Sequence, residues 1–508
     1  MLTSSAVSVA RPAARAWSPA ALLLVLLLGH TLLWTWIGWT SRSNFDAPGD
    51  MVEAYVWAQG WQWGYYKHPP LAAWVVGLWF SVVPESQWGY SLLAAVNGAV
   101  GLAGLAVLAR EFLPARWVVL AVALASLAPG VTTLAMRFNC NAVLISTWPW
   151  ALALTVRLMR RGGSGVAIAC GAAWAAAMLG KYFSGVLAAS MLAIALWLPA
   201  WRARLPSRDA ALAALAFALL FGPHLLWLAA QAEGPLHYAR AATAHQGAGE
   251  SVLRSLHFAL SQVVFPVLAM VALGRALSGR ARWRGLVAAA VSPLAPRNEP
   301  LWLLAMLPIV ATMAATVATG ARTASVWGLG MAAGLALLAA CRARETGAEV
   351  DLGRLARTLA VIWLAAATAS PLWWLARASL AAPAAAEPRE ELAVTAQALW
   401  REQAGTPLRW VSGTRVLAAS VAFYAADHPG YWSLWNRTVE TPWVHPDAPP
   451  TEGGIIVCAV EDEACLALAE SWSADRRLVE VAKHSRGFVF APRTYAIHLL
   501  PPRSWPSP

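Results

Sequence analysis

The residues that could do chemistry concentrate between Phe45 and Leu71, in FDAPGDMVEAYVWAQGWQWGYYKHPPL. Asp46, Asp50, Glu53, Lys67 and His68 stand there among Trp57, Trp61, Trp63, Tyr65 and Tyr66. A carboxylate within hydrogen-bond reach of an acceptor group can take its proton. Fixed cations neutralise phosphate, and Trp and Tyr rings collect at the headgroup level of a membrane. Together these are the ingredients of a site for a charged, sugar-bearing lipid. An ordinary interfacial loop carries the same rings, so the acids and bases must bear the argument.

Asp50 and Glu53 are three residues apart, a spacing that puts both carboxylates on one face of a helix. Either suits the role of general base, and Asp46 is a third candidate. The same spacing fits a capping box, with Asp50 at the N-cap and Glu53 at the third helical position. Lys67 and His68 directly precede Pro69-Pro70, whose rings stiffen the turn that presents them. A rigid cation pair suits a phosphate or pyrophosphate group, against the alternative of two side chains snorkelling toward lipid headgroups.

Further polar and ionisable residues recur downstream: Arg137, Asn139 and Asn141; Lys181-Tyr182; His224; and His237, Arg240, His245, Glu250 and Arg254. Lys181, Tyr182, Arg240 and His245 join Lys67 and His68 as candidate phosphate ligands. His245 and Glu53 are the best candidates to hold a divalent metal ion, if one is used. There is no Walker loop, no HExxH and no paired CxxC, so ATP-driven chemistry and a structural zinc site are not indicated.

The elements that must position these residues are membrane helices. Of the 508 residues 59% are hydrophobic and only 13% charged, too little charge for the surface of a soluble protein of this size. Apolar runs of spanning length fall at 17–40, 87–109, 116–136, 139–158, 163–180, 182–200, 209–230, 255–275, 300–319, 323–341 and 355–377. The expected fold is therefore all-α and polytopic, with about eleven spans. The run at 17–40 reads as a retained first helix, too long for a signal-peptide core. The stretch 71–83, opened by two prolines, is too short to cross and reads as an interfacial or re-entrant helix.

The net charge of +12 does not call for nucleic acid. Its arginines cluster in alternate connections, at 11–15, 110–116, 157–161, 202–208, 275–297 and 342–357. By the positive-inside rule those connections and the N-terminus are cytoplasmic, and loops 41–86 and 231–254 face out. An odd span count places the tail outside too. After the Ala/Pro-rich linker 381–388, helix-like ELAVTAQALWREQ and ACLALAESW alternate with strand-like LRWVSG, GGIIVCAV and GFVFAP. We expect a membrane domain at 1–380 and a small extracytoplasmic α/β domain at 385–508. Of five cysteines, Cys458 and Cys465 lie in this tail and could pair there if it is exported.

GDMVEAYVWAQGWQWGYYKHPPLAAW resembles the first outward loop of bacterial members of the dolichyl-phosphate-mannose–protein mannosyltransferase family, which includes the lipid A aminoarabinose transferases. The resemblance extends through RFNCNAVLISTWPWALAL, MLGKYFSGVL, GPHLLW, VAFYAADHPGYW and TPW. It implies a GT-C type glycosyltransferase of the bacterial inner membrane. Such an enzyme takes a sugar from a polyprenyl-phosphate carrier on the extracytoplasmic face, with inversion. The acceptor would be a lipid, glycan or protein. Asp50 matches the acid of the family's first loop, which activates or holds the acceptor. Three departures stand out. Met51 replaces a second acid, Lys67-His68 replaces an acid–lysine pair whose acid helps hold a metal, and Asn141 stands where some relatives have an acid. The second favours direct phosphate binding by the cations. A flippase for a lipid-linked sugar is the alternative from another class, and it predicts ionisable residues spread through span interiors. An inactive binding protein on the same scaffold is a third reading.

Overall fold

The computed structural model describes residues 18–502 apart from 232–233, 236, 239–246 and 265–266. Seven of its helical stretches are long and apolar enough to cross a membrane, among them Pro19–Thr40, Gln87–Ala109, Arg208–Ala229, Pro300–Thr319 and Leu352–Ser379. The other four expected spans fall on shorter or more charged helices, Ala115–Ala125, Val143–Arg161, Ser164–Gly180 and Ser184–Trp197. The fold is the expected all-α polytopic type, with a small sheet near its C-terminal end.

Local signals start these helices where a chain needs its first N–H groups satisfied. Ser18 caps α1 (Pro19–Thr40) through Ala21 N, and Pro19 occupies its first position. Ser86 caps α4 (Gln87–Ala109) through Gly89 N. Between them lie two short helices, α2 (Asp50–Ala58) and α3 (Leu71–Phe80). The latter, 10 residues long, is the short element expected behind Pro69-Pro70.

Lipid offers no hydrophobic drive between helices, so close backbone approach and internal hydrogen bonds must hold them together. A Cβ at Gly101 in α4 would collide with the Ile145 carbonyl, so glycine lets α4 press onto the Val143–Arg161 helix. Asn97 bridges the same pair, donating to Ala142 O at 2.8 Å and accepting from Ser146 Oγ at 2.6 Å. Trp148 is fully buried, and its indole N–H meets Ser184 Oγ at 2.9 Å.

Near the C-terminus five strands form a mixed sheet in the order Gly430–Tyr431, Trp410–Gly413, Gly454–Ala459, Arg493–Leu500, Arg476–Val481. The first three run parallel and the last two pair antiparallel. Helices Arg389–Ala404, Arg415–Tyr424 and Glu463–Trp472 flank this chain segment. GFVFAP does not form a core strand. Phe488–Val489 makes a two-residue ribbon with His484–Ser485, and Phe488 packs edge-on to Trp374 of the last long helix.

This region and the loop after α1 share one core. Phe45 meets Tyr90, Phe423 and Tyr424 with ring centroids 5.1, 5.0 and 5.5 Å apart, and Phe423 lies edge-on to Tyr55 at 4.9 Å. Polar ties reinforce it. Asn44 donates to the carbonyls of Ala384 and Glu387, Arg389 to that of Asp46, and Gln87 to Ser43 O and Tyr424 Oη.

Cys458 and Cys465 are bonded, tying the Gly454–Ala459 strand to the Glu463–Trp472 helix across a sequence separation of 7. A loop this short contributes about 2 kcal/mol in the chain-entropy account. Replacing both cysteines with serine should therefore lower the melting temperature of the purified protein. Reductant should lower it for the wild type and leave the double variant unmoved.

Candidate functional site

The first turn of α2 sets the site. Gly49 takes φ +84°, a left-handed conformation that costs glycine little, and it brings Asp46 back over the helix start. Asp46 accepts from the backbone N–H of Asp50 at 2.8 Å and of Met51 at 3.0 Å. It is buried, with Arg137 Nε 3.8 Å from its carboxylate. The capping role that the sequence allowed to Asp50 thus belongs to Asp46. As both Asp46 oxygens serve the helix start, it is a poor base. Burial, and the charge of Asp50 beside it, raise its pKa.

Relieved of capping, the Asp50 carboxylate lines a cavity of about 810 Å³. Its Oδ2 accepts from Asn139 Nδ2 at 2.9 Å. That amide is itself fixed, because Asn139 Oδ1 accepts from the N–H groups of Asn141 and Ala142 at 2.9 and 3.1 Å. With its oxygen committed to two donors, Asn139 has only N–H to offer Asp50. One carboxylate oxygen is held in place and the group still opens into the cavity.

Glu53 does not share that cavity. It lines a separate one of about 160 Å³, where the Arg415–Tyr424 helix packs over α2. It accepts from Lys67 Nζ at 2.6 Å and from Tyr66 Oη at 3.1 Å. Burial raises the pKa of Glu53, and Lys67 opposes the shift. Lys67, 5.0 Å from the centroid of the Tyr66 ring, is an ion-paired cation with two N–H donors left over. Burial and the charges of Lys181 and Lys67 hold His68 well below the ordinary imidazole value. It therefore sits as a neutral ring between two ammonium groups, and the expected Lys67-His68 pair carries one charge rather than two.

Lys181 donates to Asn141 Oδ1 and lies 4.9 Å from the centroid of the Trp327 ring. Its pKa is lowered by burial, an effect that the charge of Asp50 opposes. Asn141, the departure noted above, thus accepts from a lysine. The Tyr182 hydroxyl lies 3.0 Å from His224 Nε2, while His224 Nδ1 lies 2.6 Å from Trp63 O. A carbonyl only accepts, so Nδ1 carries the proton and Tyr182 donates to Nε2. Tyr182 and His224 tether the Trp63 turn to the helices behind it. Arg240 and His245 lie outside the described residues.

Among the described residues no three of His, Cys, Asp or Glu gather as a metal site would require. Glu53, one of the two metal candidates, is committed to Lys67 and Tyr66, which does not fit the open oxygen ligation of a hard divalent cation.

Three cations join the site here, of which sequence reading had singled out only Arg137. Arg42, Arg137 and Arg377 line the Asp50 cavity from three separate segments. Arg137 had stood with Asn139 and Asn141, whereas Arg42 had counted only as part of the 41–86 loop and Arg377 as the end of a span. No local pattern links positions so far apart in the chain.

The family model of dolichyl-phosphate-mannose-protein mannosyltransferases matches residues 67–227. That interval holds Lys67, His68, Arg137, Asn139, Lys181 and Tyr182, and it begins after Asp50 and Glu53. No curated protein is similar enough in sequence to match the chain. Among solved structures, apo ArnT from Cupriavidus metallidurans superposes with a TM-score of 0.60 at 17% identity, covering 94% of this chain and 98% of that one. ArnT from the same organism bound to undecaprenyl phosphate superposes with a TM-score of 0.51 at 15% identity, covering 96% and 99%. At such identity the likeness is one of fold, and it runs almost end to end. The chain has the ArnT-like, GT-C type architecture that the resemblance of its Phe45–Leu71 stretch implied.

Proposed function

We propose that the chain is an integral-membrane glycosyltransferase, moving a sugar from a polyprenyl-phosphate donor to an acceptor hydroxyl or phosphate with inversion at the anomeric carbon. The observation that carries this is the Asp50 carboxylate, held by Asn139 and open to a large cavity, with Lys181 close enough to feel its charge. The family match and the fold shared with a protein bound to undecaprenyl phosphate support the donor class.

In this mechanism Asp50 takes the proton of the acceptor group as its oxygen attacks the anomeric carbon. The bond from that carbon to the donor phosphate breaks, and the phosphate leaves with the electron pair. Polyprenyl phosphate is a competent leaving group, so catalysis needs mainly orientation and charge neutralisation. Lys67 and Lys181 supply the charge, with Arg240 and His245 of the 231–254 loop as further candidates. Glu53 positions Lys67, Tyr182 and His224 hold the turn, and neutral His68 donates to phosphate. Tail segment 385–508 forms the outer wall over the membrane domain 1–380. The arginine distribution and the disulfide, a bond that persists in oxidising compartments, support an extracytoplasmic active face of a bacterial inner membrane.

The test is transfer from synthetic polyprenyl-phosphate sugars by purified protein. Asp50→Asn should lower turnover at least about a hundredfold while donor affinity stays near wild type. Full turnover in the variant would remove Asp50 from the reaction. Wild-type protein that binds donor but never turns it over would favour the inactive-scaffold reading.

Asn139→Ala should lower kcat about tenfold with little change in KM, because it removes one oriented hydrogen bond. The melting temperature should stay near wild type, which separates this loss from loss of folded protein.

A further inference from the structure

At the end of the bundle remote from Asp50 a second charged cavity opens. The Val143–Arg161 helix starts just after Asn139, which holds Asp50, and its 19 residues carry the chain about 28 Å to the turn of Arg160. There a cavity of about 220 Å³ lies between four segments. Phe112 and Leu113 follow α4, and Arg160 stands in the last turn of the Val143–Arg161 helix. Glu299 and Leu301 begin the Pro300–Thr319 helix, while Arg344 and Glu345 end the Ala332–Glu345 helix. None of these residues serves the reaction proposed above.

The acids of this cavity are already answered. Buried Arg342, which does not line it, donates to Glu299 and, at 2.8 and 3.0 Å, to the two oxygens of Glu345. Arg297 adds a further N–H to Glu345 Oε2 at 3.0 Å. The cations are not answered. Arg160 lies 4.3 Å from the centroid of the Phe112 ring and donates to the Glu111 carbonyl, but the Glu111 carboxylate belongs to Arg157 and Arg161. The Arg344 side chain makes no hydrogen bond or ion pair to any described residue. Four guanidinium groups thus stand against two carboxylates, and the unspent charge lines the cavity at Arg160 and Arg344. Glu299, drawn to Arg342, also leaves the first turn of the Pro300–Thr319 helix without a side-chain cap, at the wall where Leu301 stands. Uncapped N–H groups at a helix start add to the preference for an anion.

We infer that this cavity is a phosphate-binding site, independent of the transferase reading, for a phosphate carried on an acidic membrane lipid or free in solution. Arginine forks match phosphate oxygens two at a time, which sets orientation as well as affinity. The positive-inside rule needs arginine only somewhere in a connection. It does not need arginines from helices far apart in the chain to converge on one cavity whose acids are neutralised by others. A basic pocket between the ends of membrane helices suits a lipid headgroup, and Phe112, Leu113 and Leu301 give this one an apolar side.

The test titrates the purified full chain in neutral detergent with dioctanoyl phosphatidylglycerol, dioctanoyl phosphatidylcholine and inorganic phosphate. Phosphatidylglycerol or phosphate should bind saturably, and more weakly as salt rises. Arg160→Gln with Arg344→Gln should weaken that binding at least about tenfold, while Arg160→Lys with Arg344→Lys should retain most of it. Arg354→Gln with Arg357→Gln removes the same charge from exposed positions outside the cavity and should change binding less than about twofold. If the cavity pair lowers the melting temperature, Arg344→Gln alone, which breaks no bond, carries the comparison. Bound phosphatidylglycerol that phosphate does not displace would assign the lipid as the source, and bound phosphate that the lipid does not displace would assign the free anion. No saturable binding of either anion would overturn the inference. So would phosphatidylcholine bound as tightly as the anions, no loss in the cavity pair, or an equal loss in the control pair.

Discussion

Asp46 spends both carboxylate oxygens on the first two N–H groups of α2, and the arrangement of the site follows from that interaction. A helix beginning there needs its donors satisfied. If Asp50 met that need, its carboxylate would turn back onto its own helix. With the left-handed Gly49 returning Asp46 over the helix start, Asp50 is free to point into the cavity and Glu53 to turn away from it. One capping choice thus separates two acids three residues apart into two environments. One is oriented by an amide and opens to a large space. The other is buried in an ion pair with Lys67.

The C-terminal region holds this arrangement from above. Arg389 donates to Asp46 O at 3.2 Å, Val416 lies where a Cβ on Gly49 would go, and Phe423 packs between Phe45 and Tyr55. The acid loop and the tail are one packed unit. Aromatic rings placed edge-on, with backbone carbonyls capped by buried side chains, give a small region the rigidity an oriented base requires.

How much of this could be read from the sequence depended on the range of the interaction. Each of the eleven apolar runs falls on one or more helices, since hydrophobic length is a local property. The loop holding Asp50 stood out because its acids, cations and rings are adjacent. The pairing of Glu53 with Lys67 spans 14 residues and a turn, so spacing on one helix could not show it. The cap moved from Asp50 to Asp46 because a single positive φ at Gly49 decides it, and glycine in a loop does not announce its conformation. Arg137 was noticed beside Asn139 and Asn141, but Arg42 and Arg377 escaped notice because the positive-inside rule treats arginine as a marker of topology. Only the packed bundle brings the three together. In the tail, RRLVEV and RTYAIHLL were missed as strands, while GFVFAP was overread because its two phenylalanines pack on Trp374 and each other rather than in the five-stranded sheet.

The most direct test of the account is the structure of the protein with a polyprenyl-phosphate sugar bound. The account predicts the donor phosphate within hydrogen-bond reach of Lys67 and Lys181, with the anomeric carbon between it and the Asp50 carboxylate. A phosphate seated on Arg42 and Arg377, or a sugar held where Asp50 cannot face its anomeric carbon, would contradict it.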